Sequence, residues 1–375
     1  MKTYLVGGAV RDQLLGLPVQ ERDWVVVGAT GQQMLDAGFR AADADFPVFL
    51  HPETGEEYAL ARTETKTGAG YKGFEVDASP TVTLEQDLAR RDLTINALAE
   101  DEKGQLIDLF GGQRDLEARQ LRHITSAFVE DPVRLLRVAR FAAHLGELGF
   151  EVAPDTQILL QQMAQSSDLQ HLRPERIWQE MRKALLEPQP WRFFEVLLRC
   201  GALDRLIPEL AAAINGDPTP FAALRKVAGQ SDKLAVRFAA ALYPAAKIAV
   251  STEALCNRLR AEKGCSDLLD LVVRLGADFV AAESAEAGSL LQLLERVKAQ
   301  QQAGRFQYFL LVCAALWPGE AKVATQRLRL ALLGMNDVAA RDLLAEGYQG
   351  VALGAELAQR RIRSIEKRLK RIAHD

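Results

Sequence analysis

Glu21 and Asp23 stand two residues apart and are followed at once by a β-branched run at residues 25–27. On a strand, residues i and i+2 point to the same face, so the two carboxylates are expected side by side. Such a pair could share divalent cations or could simply face water. Upstream, "LVGGAVRD" (residues 5–12) sets Gly7 and Gly8 between a strand and a helix. A glycine turn lets backbone N–H groups approach phosphate oxygens, at a helix N-terminus whose dipole favours anions. Arg11, one turn into that helix, could reach the same phosphates. Taken alone, Gly-Gly reads first as an ordinary tight turn. Glycine turn, helix, then acid-x-acid on the next strand is what metal-dependent nucleotidyl transfer needs. The glycines and Arg11 would hold a triphosphate, and the acids would hold metals that activate a hydroxyl and stabilise leaving pyrophosphate.

Two further segments carry charge in a pattern. "RRDLTINAL" puts Arg90, Arg91 and Asp92 just after a helix, where arginine also complements the helix dipole. In "EDPVRLLRVARF", Asp131 reads as an N-cap with Pro132 at the first helical position. Arg134, Arg137 and Arg140 then recur every third residue as a slowly drifting stripe. That stripe is either a solvated face or a base reader. A carboxylate accepts from the exocyclic amine of cytosine or adenine, while a guanidinium donates to the ring nitrogen beside it. Guanine and uracil present a carbonyl where the amine would be, so an Asp/Arg pair can choose C and A without a template.

The elements that must position these groups fall into two textures. Up to about residue 130, short strands alternate with helices, and Thr83 with Gln86 forms a capping box ahead of the helix "LEQDLARR". "FPVFLHPETGEEYALART" reads as two strands around a turn, and "TINALAEDEKGQLIDLF" as a hairpin turning at Glu102, Lys103 and Gly104. The polar "ETKTGAGYKGFEVDASPT" between them reads as a mobile loop. Beyond about residue 130, strand patterns nearly vanish and 3.6-residue periodicity runs to the end. The expected architecture is an α/β head followed by an elongated all-helical remainder. No apolar run is long enough to span a bilayer, the start lacks a signal-peptide pattern, and the four cysteines have no ligand-like spacing. A cytoplasmic protein is expected. The net charge of −4 announces no nucleic acid globally, but local patches decide phosphate binding. The basic "QRRIRSIEKRLKRIAHD" at the end is one such patch, or a solvated terminal helix.

"YLVGGAVRDQLLGLPVQERDWVVVG", "RRDLTINALA", "EDPVRLLRVARF" and "RPERIWQEM" resemble, in order, the motifs of class II tRNA nucleotidyltransferases, the bacterial CCA-adding enzymes. The resemblance is close to about Leu210 and weak beyond. It implies a head of the DNA polymerase beta-like nucleotidyltransferase superfamily at residues 1–128 and a helical neck with the nucleotide-selecting motif at 129–190. A helical body at 191–310 and a tRNA-binding tail at 311–375 follow. It implies addition of C, C and A to a tRNA 3′ end from CTP and ATP, with Mg²⁺ held by Glu21 and Asp23; a monomer is expected. Arg91, Arg137 and Arg140 are assigned to the triphosphate, Asp92 to the ribose, and Asp131 with Arg134 to the base. "RPERIWQEM" is assigned to bracing the head against the neck. Glu57 matches a further acid of relatives, or is an exposed strand residue.

Other matches lead elsewhere and are set aside. "GAGYKG" (68–73) fits GxGxxG, yet no helix follows it. Asp43 and Asp45 form another acid-x-acid pair without a preceding glycine turn. An HD phosphohydrolase domain, carried by many relatives, needs clustered histidines. Here Tyr243-Pro244 stands where His-Asp would be, and His374-Asp375 is a terminal dipeptide. Rival readings are an enzyme of partial activity (CC-adding, A-adding or poly(A) polymerase) and an inactive RNA-binding module. The last is motivated by one departure: most relatives carry Asp where Glu21 stands. Glu retains a hard oxygen ligand, so an active enzyme is expected, although near-attack geometry is sensitive to displacements of about 1 Å. Comparing turnover with Glu21→Asp checks this. A large gain marks the longer acid as a handicap, and no gain means the site accommodates it.

Overall fold

A computed structural model describes residues 1–42, 47–66, 74–215 and 221–370. Asp43, Asp45, the 68–73 stretch and His374-Asp375 lie outside the described residues. The chain divides into two compact units, Met1–Leu206 and Ile207–Asp375.

The first unit is built on a seven-stranded mixed sheet. In chain order its strands are β1 (Lys2–Val6), β2 (Asp23–Val27), β3 (Arg40–Ala41), β4 (Val48–Leu50) and β5 (Glu57–Leu60). Two short strands, β6 (Thr63–Lys66) and β7 (Phe74–Asp77), pair only with each other, and β8 (Leu98–Asp101) with β9 (Leu106–Asp108) completes the main sheet. The spatial order is β3-β4-β5-β2-β1-β8-β9. The run at residues 25–27 is apolar throughout because both faces of the sheet are covered. Val25 packs with Val6, Leu88, Ala97 and Ala99, and Val26 packs on the other side with Met34, Phe49 and Leu60.

Register places the acids. β1 and β2 are antiparallel with Val6 opposite Asp23, so Asp23 sits beside the last strand residue before the glycine turn. β5 runs parallel to β2 with Glu57 opposite Asp23. The strand begins at Asp23, so Glu21 lies just ahead of it rather than on it, a correction to the expected strand pair. The stretch read as a loop is corrected in part too: Thr63 pairs with Asp77 and Glu64 with Val76. Each strand is only four residues long, too short for its alternation to stand out beside the glycines.

The α-helices of this unit are α1 (Gly8–Leu14), α2 (Gly31–Asp36), α3 (Leu84–Ala89), α4 (Gly112–Glu117), α5 (Val133–Leu145), α6 (Pro154–Gln165), α7 (Ser167–Gln170), α8 (Pro174–Leu186), α9 (Trp191–Cys200) and α10 (Leu203–Leu206). Thr83 and Gln86 close the expected capping box on α3. α5 begins after Pro132, and the Asp131 carboxylate accepts from the Val133 N–H as a cap does. α8 opens with Pro174 in its first turn and turns Trp178, Met181, Ala184 and Leu185 inward. In the second unit every named element is a helix. Its long helices Leu234–Ile248 and Lys263–Ala281 pack together, and Gly276 admits the Trp317 ring where a Cβ would sit 2.3 Å from it. Tyr243 meets the same ring edge-on at 5.3 Å, so that segment contributes packing. Among the described residues no single helix is long and apolar enough to cross a membrane.

The segment from Arg90 to Asn96 is anchored from beneath. Thr94 Oγ1 donates to the buried Asp115 carboxylate at 2.8 Å, and Arg122 Nε donates to the same group at 3.2 Å. Gly112 opens α4 against the Thr94–Asn96 turn, where an added Cβ would lie 2.5 Å from the Thr94 carbonyl oxygen. Backbone there cannot yield cheaply, so Gly112→Ala is expected to destabilise the fold by about 1–3 kcal/mol. Urea unfolding of the two proteins measures it, and equal midpoints would refute the tight contact.

Candidate active site

One cavity of about 890 Å³ in the first unit is lined by all eleven residues singled out by sequence. They are Gly7, Gly8, Arg11, Glu21, Asp23, Arg91, Asp92, Asp131, Arg134, Arg137 and Arg140. Nine Lys or Arg and seven Asp or Glu line it, so a chain that is negative overall carries a local excess of positive charge there. That excess suits a polyanionic ligand.

At the floor, Gly7 adopts a positive φ of 73°, which an L side chain resists. Its N–H donates to the Leu98 carbonyl at 3.0 Å. A Cβ on Gly7 would lie 2.9 Å from Arg91 Nη1, so this glycine also lets an arginine close over the turn. Arg91 donates to the buried Asp87 at 3.2 Å, and its buried Nε has no partner among the described residues. Asp87 holds Arg90 as well, at 2.6 Å. Arg11 is buried in the wall: it donates to Asn96 Oδ1 at 2.7 Å and to Asp12 at 2.8 Å. The phosphate reach expected of it therefore competes with these bonds.

The acids open to the cavity are Glu21, Asp23 and Glu57. Among the described residues, neither Glu21 nor Asp23 has a side-chain hydrogen bond or ion pair. Burial pushes the Asp23 carboxyl above its ordinary value; Arg91 opposes this and the Glu21 charge adds to it. Two carboxylates without a hydrogen-bonded or ion-paired side-chain partner are hard oxygen donors that fit a divalent cation. Among the described residues no three His, Cys, Asp or Glu side chains converge on one point. One or two protein carboxylates, with the remaining ligands from phosphate and water, is the usual arrangement for a small hard cation.

The opposite wall belongs to α5 and α8. Arg137 Nε donates to Asp92 Oδ2 at 2.7 Å, and Arg140 Nε donates to Glu180 Oε2 at 2.7 Å. The Phe141 ring is flanked by three of the cavity's guanidiniums, Arg140 at 4.4 Å, Arg11 at 5.3 Å and Arg137 at 5.7 Å. The side chains of Asp131 and Arg134 do not bond to each other; the residues are linked only by the Arg134 backbone N–H, which donates to the Asp131 carbonyl at 3.0 Å. Arg134 donates to the carbonyls of Ala127 and Arg90, and Asp131 receives both terminal nitrogens of Arg176, at 3.1 and 2.9 Å. Arg176, Gln179, Glu180 and Lys183 line the same cavity. "RPERIWQEM" was therefore under-read as bracing alone. Its signal was Arg176 and Glu180 at i and i+4, on one face of a helix. Asn96 was also missed although it lies within "RRDLTINAL", and Arg62 and Glu64 were missed, having no motif of their own.

Two family models match the chain: "Poly A polymerase head domain" over residues 3–122 and "Probable RNA and SrmB- binding site of polymerase A" over 149–214. The chain is 47% identical to a Multifunctional CCA protein of Thioalkalivibrio sulfidiphilus and 47% identical to a CCA-adding enzyme of Pseudomonas putida. Each match covers 98% of both chains. Among solved structures, the Bacillus stearothermophilus CCA-adding enzyme in complex with CTP superposes with a TM-score of 0.68 at 24% identity, over 97% of this chain and 88% of that one. The Thermotoga maritima CCA-adding enzyme complexed with tRNA gives 0.69 at 22%, over 99% and 91%. The fold is that of a polymerase beta-like nucleotidyltransferase head with a helical continuation. The chain belongs to the family of CCA-adding enzymes, the tRNA nucleotidyltransferases, which use divalent metal.

Asp92 ties the wall to the floor. Burial raises its pKa, but the Arg137 charge and hydrogen bonds from Asn96, Arg137 and the Leu93 N–H outweigh that and hold it well below the usual carboxylate range. Its contribution is therefore fully present above the unfolded value of about 3.9 and is lost as pH falls toward the folded value. Asp92→Asn is expected to cost about 2–3 kcal/mol at neutral pH. That gap should narrow by about 1 kcal/mol between pH about 5 and about 3. Denaturant titrations at both pH values test it, and a gap independent of pH would refute the ion pair's role.

Proposed function

We propose that this chain adds C, C and A, without a template, to the 3′ end of tRNA from CTP and ATP, releasing pyrophosphate. The observation that carries the reading is the convergence of the acid pair, the glycine turn and the α5 charge stripe on one cavity. Glu21 and Asp23 would hold Mg²⁺, which supplies Lewis acidity for the attacking 3′-hydroxyl and the α-phosphate and neutralises charge on the leaving pyrophosphate.

The chain's own residues do the rest. Gly7 and Gly8 keep the turn free of side chains, so that a phosphate can approach the N–H groups at the start of α1, the Gly7 N–H itself being taken by the Leu98 carbonyl. Arg91 closes the turn from above, with a buried N–H still unsatisfied. Arg137 and Arg140 are each tied to their acids through Nε, which leaves the terminal nitrogens as donors for phosphate oxygens. Asp92 stays ionised and rigid, suited to orienting the ribose. Arg134 commits two of its five N–H donors to backbone carbonyls, which fixes its plane and leaves others for a ring nitrogen. Asp131 supplies the acceptor for the exocyclic amine, and a carbonyl there would face it acceptor to acceptor. A mismatch of that kind costs about 1–3 kcal/mol.

Incubation with tRNA lacking its tail, Mg²⁺ and both nucleotides is expected to lengthen the product by three residues, and by two with CTP alone. Asp23→Asn should lower the rate about a hundredfold or more while tRNA binding survives. A long homopolymeric A tail, or arrest after C addition with ATP present, would overturn the reading in favour of a partial-activity relative.

A further inference from the structure

Asp131 sits on extended backbone ahead of α5, with φ −115° and ψ 107°, so no helical neighbour dictates its side-chain direction. What holds it is the fork of Arg176 from α8. Nη1 donates to Oδ1 at 3.1 Å and Nη2 donates to Oδ2 at 2.9 Å. Oδ1 also accepts from the Val133 N–H at 3.1 Å. Both lone pairs of Oδ1 are thereby used, and one of the two on Oδ2 remains. The carboxylate thus presents a single free acceptor in one direction.

We propose that Arg176 is a positioning residue that sets base specificity: its fork holds Asp131 with one acceptor facing the base, so that discrimination rests on α8 as much as on α5. The inference deepens the proposed function and rests on Asp131 reading the base edge. A carboxylate free to turn can move either oxygen away from an opposing carbonyl, or admit water between them, and the penalty for U or G falls. Held by a planar fork, it can do neither. Simple clamping of α5 to α8 does not account for the contact, because Arg140 and Glu180 already join those two helices at 2.7 Å. Arg176 instead engages the one carboxylate on which the selection depends.

The test is kcat/KM for CTP, ATP, UTP and GTP addition to tailless tRNA, for the full chain and for Arg176→Met, Arg176→Lys and Asp131→Ala. Arg176→Met is expected to lower the CTP-over-UTP ratio by about tenfold or more, mainly through a higher KM for CTP, with kcat at saturating CTP within about threefold. Arg176→Lys keeps the charge but not the fork, and should recover only part of the ratio. If Asp131→Ala loses discrimination while both Arg176 variants keep it within about twofold of the parent, the positioning role is overturned and base reading by Asp131 stands. If Asp131→Ala retains discrimination, the base-reading assignment fails and this inference with it. Circular dichroism checks folding. If Arg176→Met does not fold, the ratio for Arg176→Lys decides: a loss supports the fork, and the parent's value overturns it.

Discussion

The ion pair between Arg137 and Asp92 joins segments 45 residues apart, and the rest of the site is arranged around it. Asp92 belongs to the segment that carries Arg90 and Arg91, anchored from beneath by Asp115. Arg137 belongs to α5, which carries Arg134 and Arg140 and begins beside Asp131. A buried pair is strongly held only when its remaining hydrogen-bonding capacity is met. Here Asn96 and the Leu93 N–H supply the other bonds to Asp92. Asn96 in turn accepts from Arg11, so the glycine-turn helix belongs to the same network.

The network answers an electrostatic problem. A cavity for a triphosphate must collect arginines, and arginines at close quarters repel one another when the ligand is away. The first unit distributes counter-charges with some economy. Asp87 serves Arg90 and Arg91, Asp92 serves Arg137, Glu180 serves Arg140 and Asp131 receives Arg176. The Phe141 ring adds a further face for three of the cationic groups. Glu21 and Asp23 stand outside this pairing, and their mutual repulsion is what a divalent cation would relieve. The same principle separates the basic helix Gly350–Lys370 from a simple cationic patch. There Arg360 pairs with Glu346 and Glu356, and Arg368 pairs with Asp337. Much of the charge that looked available to phosphate in the sequence is already balanced.

The legibility of the site followed from how local each signal was. The glycine turn, the capping box at Thr83, the hairpin turning near Gly104 and the proline-led start of α5 are all set by residues within a few positions of one another. Each was readable from composition and spacing. Glu21 was placed on a strand because the alternation could be extended back by two residues, whereas pairing with β1 ends where Val6 meets Asp23. The β6–β7 pair was lost among glycines. Arg176 was seen but under-read, because a helix face announces burial or exposure and does not announce which carboxylate lies opposite.

By itself the sequence determined the chemistry available: two acids beside a glycine turn, a run of arginines behind an N-capping Asp, and the change from α/β to mostly helical texture near residue 130. Those depend on residue type and near-neighbour spacing, which chain geometry alone constrains. Tertiary structure decided the partners. Register brought Glu57 beside Asp23, packing of α8 on α5 gave Asp131 to Arg176 rather than to Arg134, and burial turned Arg11 and Asp92 into wall and joint. Partnership between residues tens of positions apart depends on how surfaces fit, and no local pattern encodes it.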